Sequence, residues 1–308
     1  MATVAPDTTP ARSRASIDAL LRRVELRVGR RLDGVLQGER RGRRPGPGGD
    51  VSLTRQYEPG DDVRWIDWPL TARTGEAMVR VPELEPVLTA WALVDRSASM
   101  RFGSAVTTKG DLALEALAGL GTILRRRGDR LGVAASATGG LDLMRPPVGD
   151  RRGLSASLEA VARMPGGERE GRTDLAAAVA AVGKVARHRG AVFVISDFPH
   201  SDALENALGT LARRQEVFAV EVRDPREREL PDLGVVRLRD METGGTRLVD
   251  TADPRFRARM AAVAAEREAA TRSMLRRVRA FHAVVDTDGD WVLSLARALM
   301  PVRGRRVS

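Results

Sequence analysis

The chain has 308 residues, of which 43% are apolar, and this is enough for one large domain or two small ones with a sizeable core. It has no cysteine, which excludes disulfides and thiolate metal sites. The apolar runs are shorter than the roughly 20 residues that a membrane span needs. The first residues lack the apolar middle of a signal peptide, so we expect a cytoplasmic protein.

The net charge of +10 is concentrated at the two ends of the chain. Residues 1–50 carry eleven arginines against six acidic residues, and residues 255–308 carry twelve against five. Such ends are usually solvated, and the alternative is binding to nucleic acid or an anionic surface. The sequence shows no helix-turn-helix signature or zinc-ligand spacing, and only one tyrosine and six phenylalanines for base stacking.

The first 50 residues are predicted to form a basic tail with one amphipathic helix. Apolar residues recur at helical spacing over 17–36, with arginines between them, and a linker rich in Gly, Pro and Arg follows at 38–50. We expect this helix to pack on its own domain. Peripheral contact with the inner face of the membrane is the alternative.

Two further segments and a short basic tail follow. Residues 51–87 form a dense, irregular extension that we expect to pack on the core, and 301–308 are the tail. Between them, apolar strands alternate with helical patterns over 88–300, which predicts an α/β domain with a mostly parallel sheet and helices on both faces. The predicted strands are 89–95, 131–137, 141–146, 191–197, 216–222 and 281–286. The predicted helices are 109–127, 154–164, 174–188, 201–213, 254–279 and 291–300, with a hairpin around 242–245.

Oxygen-bearing side chains gather where two of these strands end. Asp95 and Asp197 each close an apolar strand, Ser97 and Ser99 follow the first, and Thr173 lies in a loop that opens a helix. In open α/β sheets ligands bind beyond the carboxyl ends of the strands, so we expect both carboxylates at one rim. Carboxylates and hydroxyls without nitrogen or sulfur favour Mg²⁺ or Mn²⁺. The alternative is that the serines cap the next turn and Asp95 pairs with an arginine.

The order Asp-x-Ser-x-Ser, then Thr, then Asp resembles the metal-ion-dependent adhesion site of von Willebrand factor type A domains. The matching residues are Asp95, Ser97, Ser99, Thr173 and Asp197. The resemblance implies a von Willebrand type A (Rossmann-like) fold. It also implies that the hydroxyls contact the metal, that one or both aspartates act through water, and that an acidic residue of a partner protein completes the coordination.

The segment 57–75, YEPGDDVRWIDWPLTARTG, resembles the signature of the bacterial family called domain of unknown function 58, which joins this motif to a von Willebrand type A domain. The signature residues are Tyr57, Gly60, Asp61, Asp62, Arg64, Asp67, Trp68 and Arg73. We expect their charges to form an ion-pair network that pins the segment, with Trp65 and Trp68 buried, and a partner-binding surface is the alternative. The resemblance implies a MoxR-type AAA+ ATPase as the partner.

Two enzymatic functions are the alternatives to a non-enzymatic interaction module. A metal-dependent phosphohydrolase with Asp95 as the nucleophile needs a second aspartate two residues later, and this position is Ser97. A serine hydrolase needs a histidine within reach. Of His188, His200 and His282, only His200 is expected near the rim, and no nucleophile elbow accompanies it. We therefore expect no catalytic activity.

Overall fold

Two compact units make up the chain in the computed structural model, which describes residues 14–42, 53–81, 87–103, 107–164, 174–239 and 245–299. The first unit joins Met1–Leu32 to Leu88–Ser308, and the second is Asp33–Val87. Of the described residues, 14–32 therefore group with the α/β unit.

The helices and strands follow one another in the predicted alternation. The helices are α1 Arg14–Gly42, α2 Trp68–Thr74, α3 Lys109–Arg126, α4 Arg151–Ala162, α5 Leu175–Val185, α6 Asp202–Ala212, α7 Pro225–Arg228, α8 Pro254–Arg277 and α9 Trp291–Leu299. The strands are β1 Leu53–Gln56, β2 Met78–Val81, β3 Thr89–Asp95, β4 Arg130–Ser136, β5 Leu143–Val148, β6 Ala191–Ser196, β7 Glu216–Arg223, β8 Val235–Arg239, β9 Thr246–Asp250 and β10 Phe281–Asp286.

The six strands of the central sheet lie in the order β10-β7-β6-β3-β4-β5. All neighbours are parallel except β4 and β5, which are antiparallel. From β3 the chain proceeds through β4 to β5 at one edge of the sheet. It then returns to β6, on the other side of β3, and proceeds through β7 to β10 at the opposite edge. The topological switch point therefore lies between β3 and β6, where a doubly wound sheet opens a crevice for ligands. The predicted α/β class is confirmed.

Each face of the sheet is covered by helices. One core combines the sheet with apolar residues of α1, α3, α4 and α9, and the other combines it with α5, α6 and the C-terminal end of α8. Because both faces are covered, β6 reads as an uninterrupted apolar run and is buried along its whole length.

Helix α1 contributes to the first of these cores. Ile17, Leu20, Leu21, Val24 and Val28 recur at helical spacing and are completely or almost completely buried. Ion pairs fix the edges of this stripe: Glu25 pairs with Arg125 and Arg151. This part of α1 therefore packs on its own domain, and its apolar face is not available to a membrane surface.

The second unit is a small antiparallel pair with a helical connection. Strand β1 pairs with β2, a 3₁₀ turn spans Val63–Trp65, and α2 follows. Helix α2 begins at its N-cap Asp67, whose side chain accepts a hydrogen bond from the Leu70 amide, and ends at Gly75 in a left-handed conformation (φ 76°).

The late hairpin is also present in the first unit. Strands β8 and β9 are antiparallel, and the predicted turn around 242–245 lies outside the described residues except for Gly245. Among the described helices, no segment is both long and apolar enough to span a bilayer.

Candidate metal centre

The predicted site lies at the switch point of the sheet. Asp95 is the last residue of β3, and Asp197 directly follows β6. Val94 is aligned with Ile195 in the parallel register, so Asp95 lies beside Ser196. On the other side of β3, Asp95 is aligned with Ser136, the last residue of β4. Three polar residues thus end three neighbouring strands side by side on the same face.

Asp95 is buried, and both of its carboxylate oxygens are held. Oδ1 accepts a hydrogen bond from the Ser97 amide at 2.8 Å, and Oδ2 accepts one from Ser196 Oγ at 2.6 Å. Burial first, and then the Asp197 carboxylate, raise the pKa of Asp95 to about 6, although the hydrogen bonds from Ser196 and Ser97 lower it. The Asp95 carboxylate is thus held in a fixed orientation by its neighbours on both sides.

Ser97 and Ser99 present two adjacent hydroxyls beside this carboxylate. Their Oγ atoms are 3.0 Å apart. Ser97 is the N-cap of the 3₁₀ turn Ala98–Arg101, yet its side chain makes no capping hydrogen bond in the part of the chain that the structure describes. Capping of the turn therefore does not account for the Ser97 hydroxyl.

Asp197 is paired with a cation that the sequence analysis did not single out. Lys109 Nζ lies 2.8 Å from Asp197 Oδ2 and 2.6 Å from Glu227 Oε1, and its side chain is only 1% exposed. Burial alone would lower the pKa of Lys109, but the two carboxylates outweigh it and raise the pKa, so the amine is charged. Lys109 is one of two lysines in a chain with 51 basic residues, and this rarity was the only signal in the sequence.

Ser196 connects Asp95 to a strained stretch of backbone. Its Oγ donates to Asp95 and accepts a hydrogen bond from the Phe198 amide at 3.0 Å. Phe198 has φ 52°, a left-handed conformation that costs energy for a bulky residue. The chain therefore turns sharply immediately after Asp197. The Ser196 hydroxyl links this turn, through the Phe198 amide, to the Asp95 carboxylate.

The donor chemistry of this cluster fits a hard divalent cation. Adjacent ligands of an octahedral Mg²⁺ with bonds of 2.0–2.1 Å lie about 3 Å apart, which is the separation of the two serine hydroxyls. The buried Ser136 Oγ, on the same face as Asp95, has no hydrogen-bond partner among the described residues. Within those residues no group of three His, Cys, Asp or Glu could hold a metal. Asp95, Ser97, Ser99 and Asp197 would therefore bind a metal through hydroxyls and water as well as carboxylates. Thr173 lies outside the described residues.

Comparison with known proteins gives the family. The model of the family "Protein of unknown function DUF58" matches residues 53–270. The chain belongs to this family. An uncharacterized protein of Mycobacterium tuberculosis is 39% identical over 293 residues, which cover 94% of this chain and 92% of that protein. An uncharacterized protein of Mycobacterium bovis matches with the same identity and coverage.

Among solved structures, the conserved hypothetical protein BatB from Bacteroides thetaiotaomicron is similar over 71% of this DUF58 chain and 100% of that chain, with 15% identity and a TM-score of 0.49. The α/β fold of this chain follows from the order and directions of the strands in its central sheet.

The signature segment of this DUF58 protein forms local ion pairs. Arg55 binds Asp61 with two hydrogen bonds, Arg64 binds Asp62, and Arg80 binds Asp67 at 2.9 Å. The arginine hydrogen bonds, followed by backbone hydrogen bonds, lower the pKa of each of these carboxyls. The predicted network is thus present in part, but Arg55 and Arg80 replace the expected Arg73. Arg73 is exposed, and its charge contributes to the lowered pKa of Asp67.

Other signature residues shape the turn before these pairs. The Tyr57 amide donates to the Ala77 carbonyl at 2.8 Å, which closes the end of the β1–β2 pair. Gly60 has φ 113°, a backbone conformation that side chains disfavour, and the turn that it makes brings the Asp61 carboxylate to the Glu58 amide at 2.9 Å.

The expected burial of the two tryptophans is wrong. Trp65 is 52% exposed and Trp68 is 66% exposed. Trp65 ends the 3₁₀ turn and Trp68 begins α2. The side chains of Asp62 and Asp67 accept hydrogen bonds from the Arg64 and Leu70 amides and hold the backbone of this stretch. Large exposed aromatic residues are uncommon on a surface that has no partner.

Proposed function

We propose that this DUF58 protein is a non-enzymatic interaction module that binds Mg²⁺ or Mn²⁺ at the switch point and, through the metal, an acidic side chain of a partner protein. One observation carries the proposal: the buried Asp95 carboxylate is fixed beside two hydroxyls, Ser97 and Ser99, that lie 3.0 Å apart. This is a preformed set of hard oxygen donors at the place where such sheets bind ligands.

The charge of the site supports an anionic partner. The hydroxyls of Ser97 and Ser99 carry no charge, and Lys109 neutralises part of the charge on Asp197. Asp95 is therefore the main negative group available to a divalent ion. The protein's own residues leave such an ion incompletely neutralised, which favours an additional carboxylate from outside.

The polar groups near the rim do not support catalysis. The side chain two residues after Asp95 is the Ser97 hydroxyl, which is not an acid or base of suitable pKa. His282 is engaged with Glu221, its Nε2 lying 2.6 Å from Glu221 Oε2, and His200 is exposed. A metal-dependent phosphohydrolase therefore has less support than a binding site.

The partner proposed for this site is a MoxR-type AAA+ ATPase in the cytoplasm, and the two proteins would act together in the assembly or remodelling of a client complex. This part of the proposal rests on the family resemblance of the signature segment and the metal motif. Because the chain ends are basic, nucleic acid is the alternative partner.

Metal binding is tested first by calorimetric titration of the purified chain with Mn²⁺ and with Mg²⁺. Asp95→Ala should abolish binding while circular dichroism shows an unchanged fold. Asp288→Ala is the matched control, because Asp288 is an exposed aspartate that follows β10 and lies outside the donor set. Unchanged Mn²⁺ affinity in Asp95→Ala would reject the site.

Partner binding is tested by a pull-down from the native cell extract with Mg²⁺ or with EDTA, analysed by mass spectrometry. We expect an AAA+ ATPase that is retained with Mg²⁺ and lost with EDTA or with Asp95→Ala. If nucleic acid is recovered instead, and its binding is unaffected by EDTA but lost at high salt, the function belongs to the arginine-rich ends.

A further inference from the structure

The buried Lys109 lies between the proposed metal site and the helix that follows β7. It is the first residue of α3, and its ammonium bridges Asp197 at 2.8 Å and Glu227 of α7 at 2.6 Å. A cation at a helix N-terminus opposes the helix dipole, and a buried amine loses its hydration. Among the described residues Asp197 and Glu227 offset both costs, so Lys109 depends on these two carboxylates.

The two carboxylates differ in how they are held. Glu227 is fixed from its other side, because its Oε2 accepts a hydrogen bond from the Asp224 amide in a capping box at 3.4 Å. Asp197 follows the last residue of β6 at the open end of the sheet, next in the chain to Ser196, whose hydroxyl donates to Asp95. Asp197 therefore faces two cation positions, that of Lys109 and that of a divalent ion, whereas Glu227 faces only Lys109.

From this arrangement we infer that Lys109 is an internal counter-cation that competes with the divalent ion for the Asp197 carboxylate, and that Glu227 sets the strength of the competition by holding the ammonium. The inference rests on the proposed function and adds a control of metal affinity to it. Lys109 acts through Asp197 and is a positioning residue, since it carries no lone pair for a metal while it is charged.

The competition gives opposite effects for two substitutions on the same ion pair. Lys109→Met removes the positive charge and leaves Asp197 free for the metal, so Mn²⁺ should bind about tenfold more tightly. Glu227→Gln leaves the ammonium to Asp197 alone, so Mn²⁺ should bind several-fold more weakly. A role in support of the fold alone would instead weaken binding in both variants.

Glu229→Gln is the matched control for Glu227→Gln. Glu229 lies two residues further along the chain, is exposed, and loses the same charge on substitution. Because the Lys109 ammonium is bridged by Asp197 and Glu227, we expect Glu229→Gln to bind Mn²⁺ as the unchanged protein does.

The experiment is calorimetric titration of the full chain and these variants with Mn²⁺, with thermal melting to monitor the fold. Tighter binding in Lys109→Met and weaker binding in Glu227→Gln, with Glu229→Gln unchanged, support the inference. If the unchanged protein binds Mn²⁺ and neither variant binds it more tightly than the unchanged protein does, the inference is overturned and the proposed function stands. If the unchanged protein binds no more Mn²⁺ than Asp95→Ala, both are overturned. Should Lys109→Met not fold, Lys109→Gln takes its place, because it removes the same charge and keeps a polar group for the two carboxylates. Unchanged or weaker Mn²⁺ binding in Lys109→Gln would then overturn the inference.

Discussion

Ser196 Oγ donates a 2.6 Å hydrogen bond to Asp95 Oδ2, which joins the ends of the two strands on either side of the switch point. This bond fixes one oxygen of the predicted metal ligand and leaves the other to the Ser97 amide. Ser196 therefore fixes the orientation of the Asp95 carboxylate, and this is the role that outer residues have at proteins' metal-binding carboxylates.

We predict that Ser196→Ala weakens Mn²⁺ binding by about tenfold or more, the effect typical of losing such an outer partner. It should also lower the free energy of unfolding by about 1–3 kcal/mol, because a buried carboxylate oxygen loses its donor. Calorimetric titration and urea denaturation measure the two effects. Ser157→Ala is the control, since Ser157 is an equally buried serine that lies in α4 and outside the donor set. Equal losses in the two variants would contradict this role for Ser196.

The strands and helices of the α/β unit could be predicted from the sequence because their apolar periodicity is local. Strand β3 begins and ends where predicted, and α3 differs from its prediction by one residue. Asp95 and Asp197 were expected at one rim for the same reason: strand ends in a parallel sheet meet at the same edge. The position of these residues follows from the fold class alone.

The partners of these residues could not be predicted, because they are distant in sequence. Lys109 meets Asp197 and Glu227 across 88 and 118 residues, and nothing in its local pattern distinguishes it from a surface lysine. Ser196 stands in the apolar run of β6 and was counted as part of the strand. Tryptophan side chains are highly buried on average, and this average predicts burial for Trp65 and Trp68. It does not determine the exposure of an individual side chain, and both are exposed.

Helix α1 gives a prediction about stability. Leu20 is buried in the core shared with α3, so Leu20→Ala should lower the free energy of unfolding by about 2–5 kcal/mol through lost burial and a residual cavity. Leu26→Ala on the same helix should change it by less than about 0.5 kcal/mol, because Leu26 is 62% exposed. Urea denaturation measures both. A small loss for Leu20→Ala would mean that α1 is not part of the folded unit in solution.

Glu221 gives a prediction about pH. Burial by itself would raise the pKa of Glu221, but the hydrogen bonds from His282 and Arg223 outweigh burial and lower the pKa below its ordinary value. The folded state therefore favours the charged carboxylate. The stability that this contributes is present above about pH 4.5 and is lost as the pH falls through the lowered pKa of the folded state.

Glu221→Gln removes this contribution. The difference in unfolding free energy between the unchanged protein and the variant should be largest near neutral pH and should shrink as the pH is lowered toward 3. Chemical denaturation at a series of pH values measures it. Glu266→Gln, on the exposed part of α8, is the control and should show no such dependence. A difference that stays constant with pH would contradict the ion pair.

The two exposed tryptophans give the last prediction, which concerns the partner. Because the rings of Trp65 and Trp68 are largely exposed while local ion pairs hold their backbone, Trp65→Ala with Trp68→Ala should leave thermal stability nearly unchanged. Aromatic residues of this kind supply much of the binding energy of protein interfaces. We therefore expect the double variant to bind Mn²⁺ normally and to lose capture of the Mg²⁺-dependent partner from the native extract. Loss of Mn²⁺ binding or of the fold in the double variant would instead show that the two rings support the structure. Unchanged capture of the partner protein would exclude this surface from the interface.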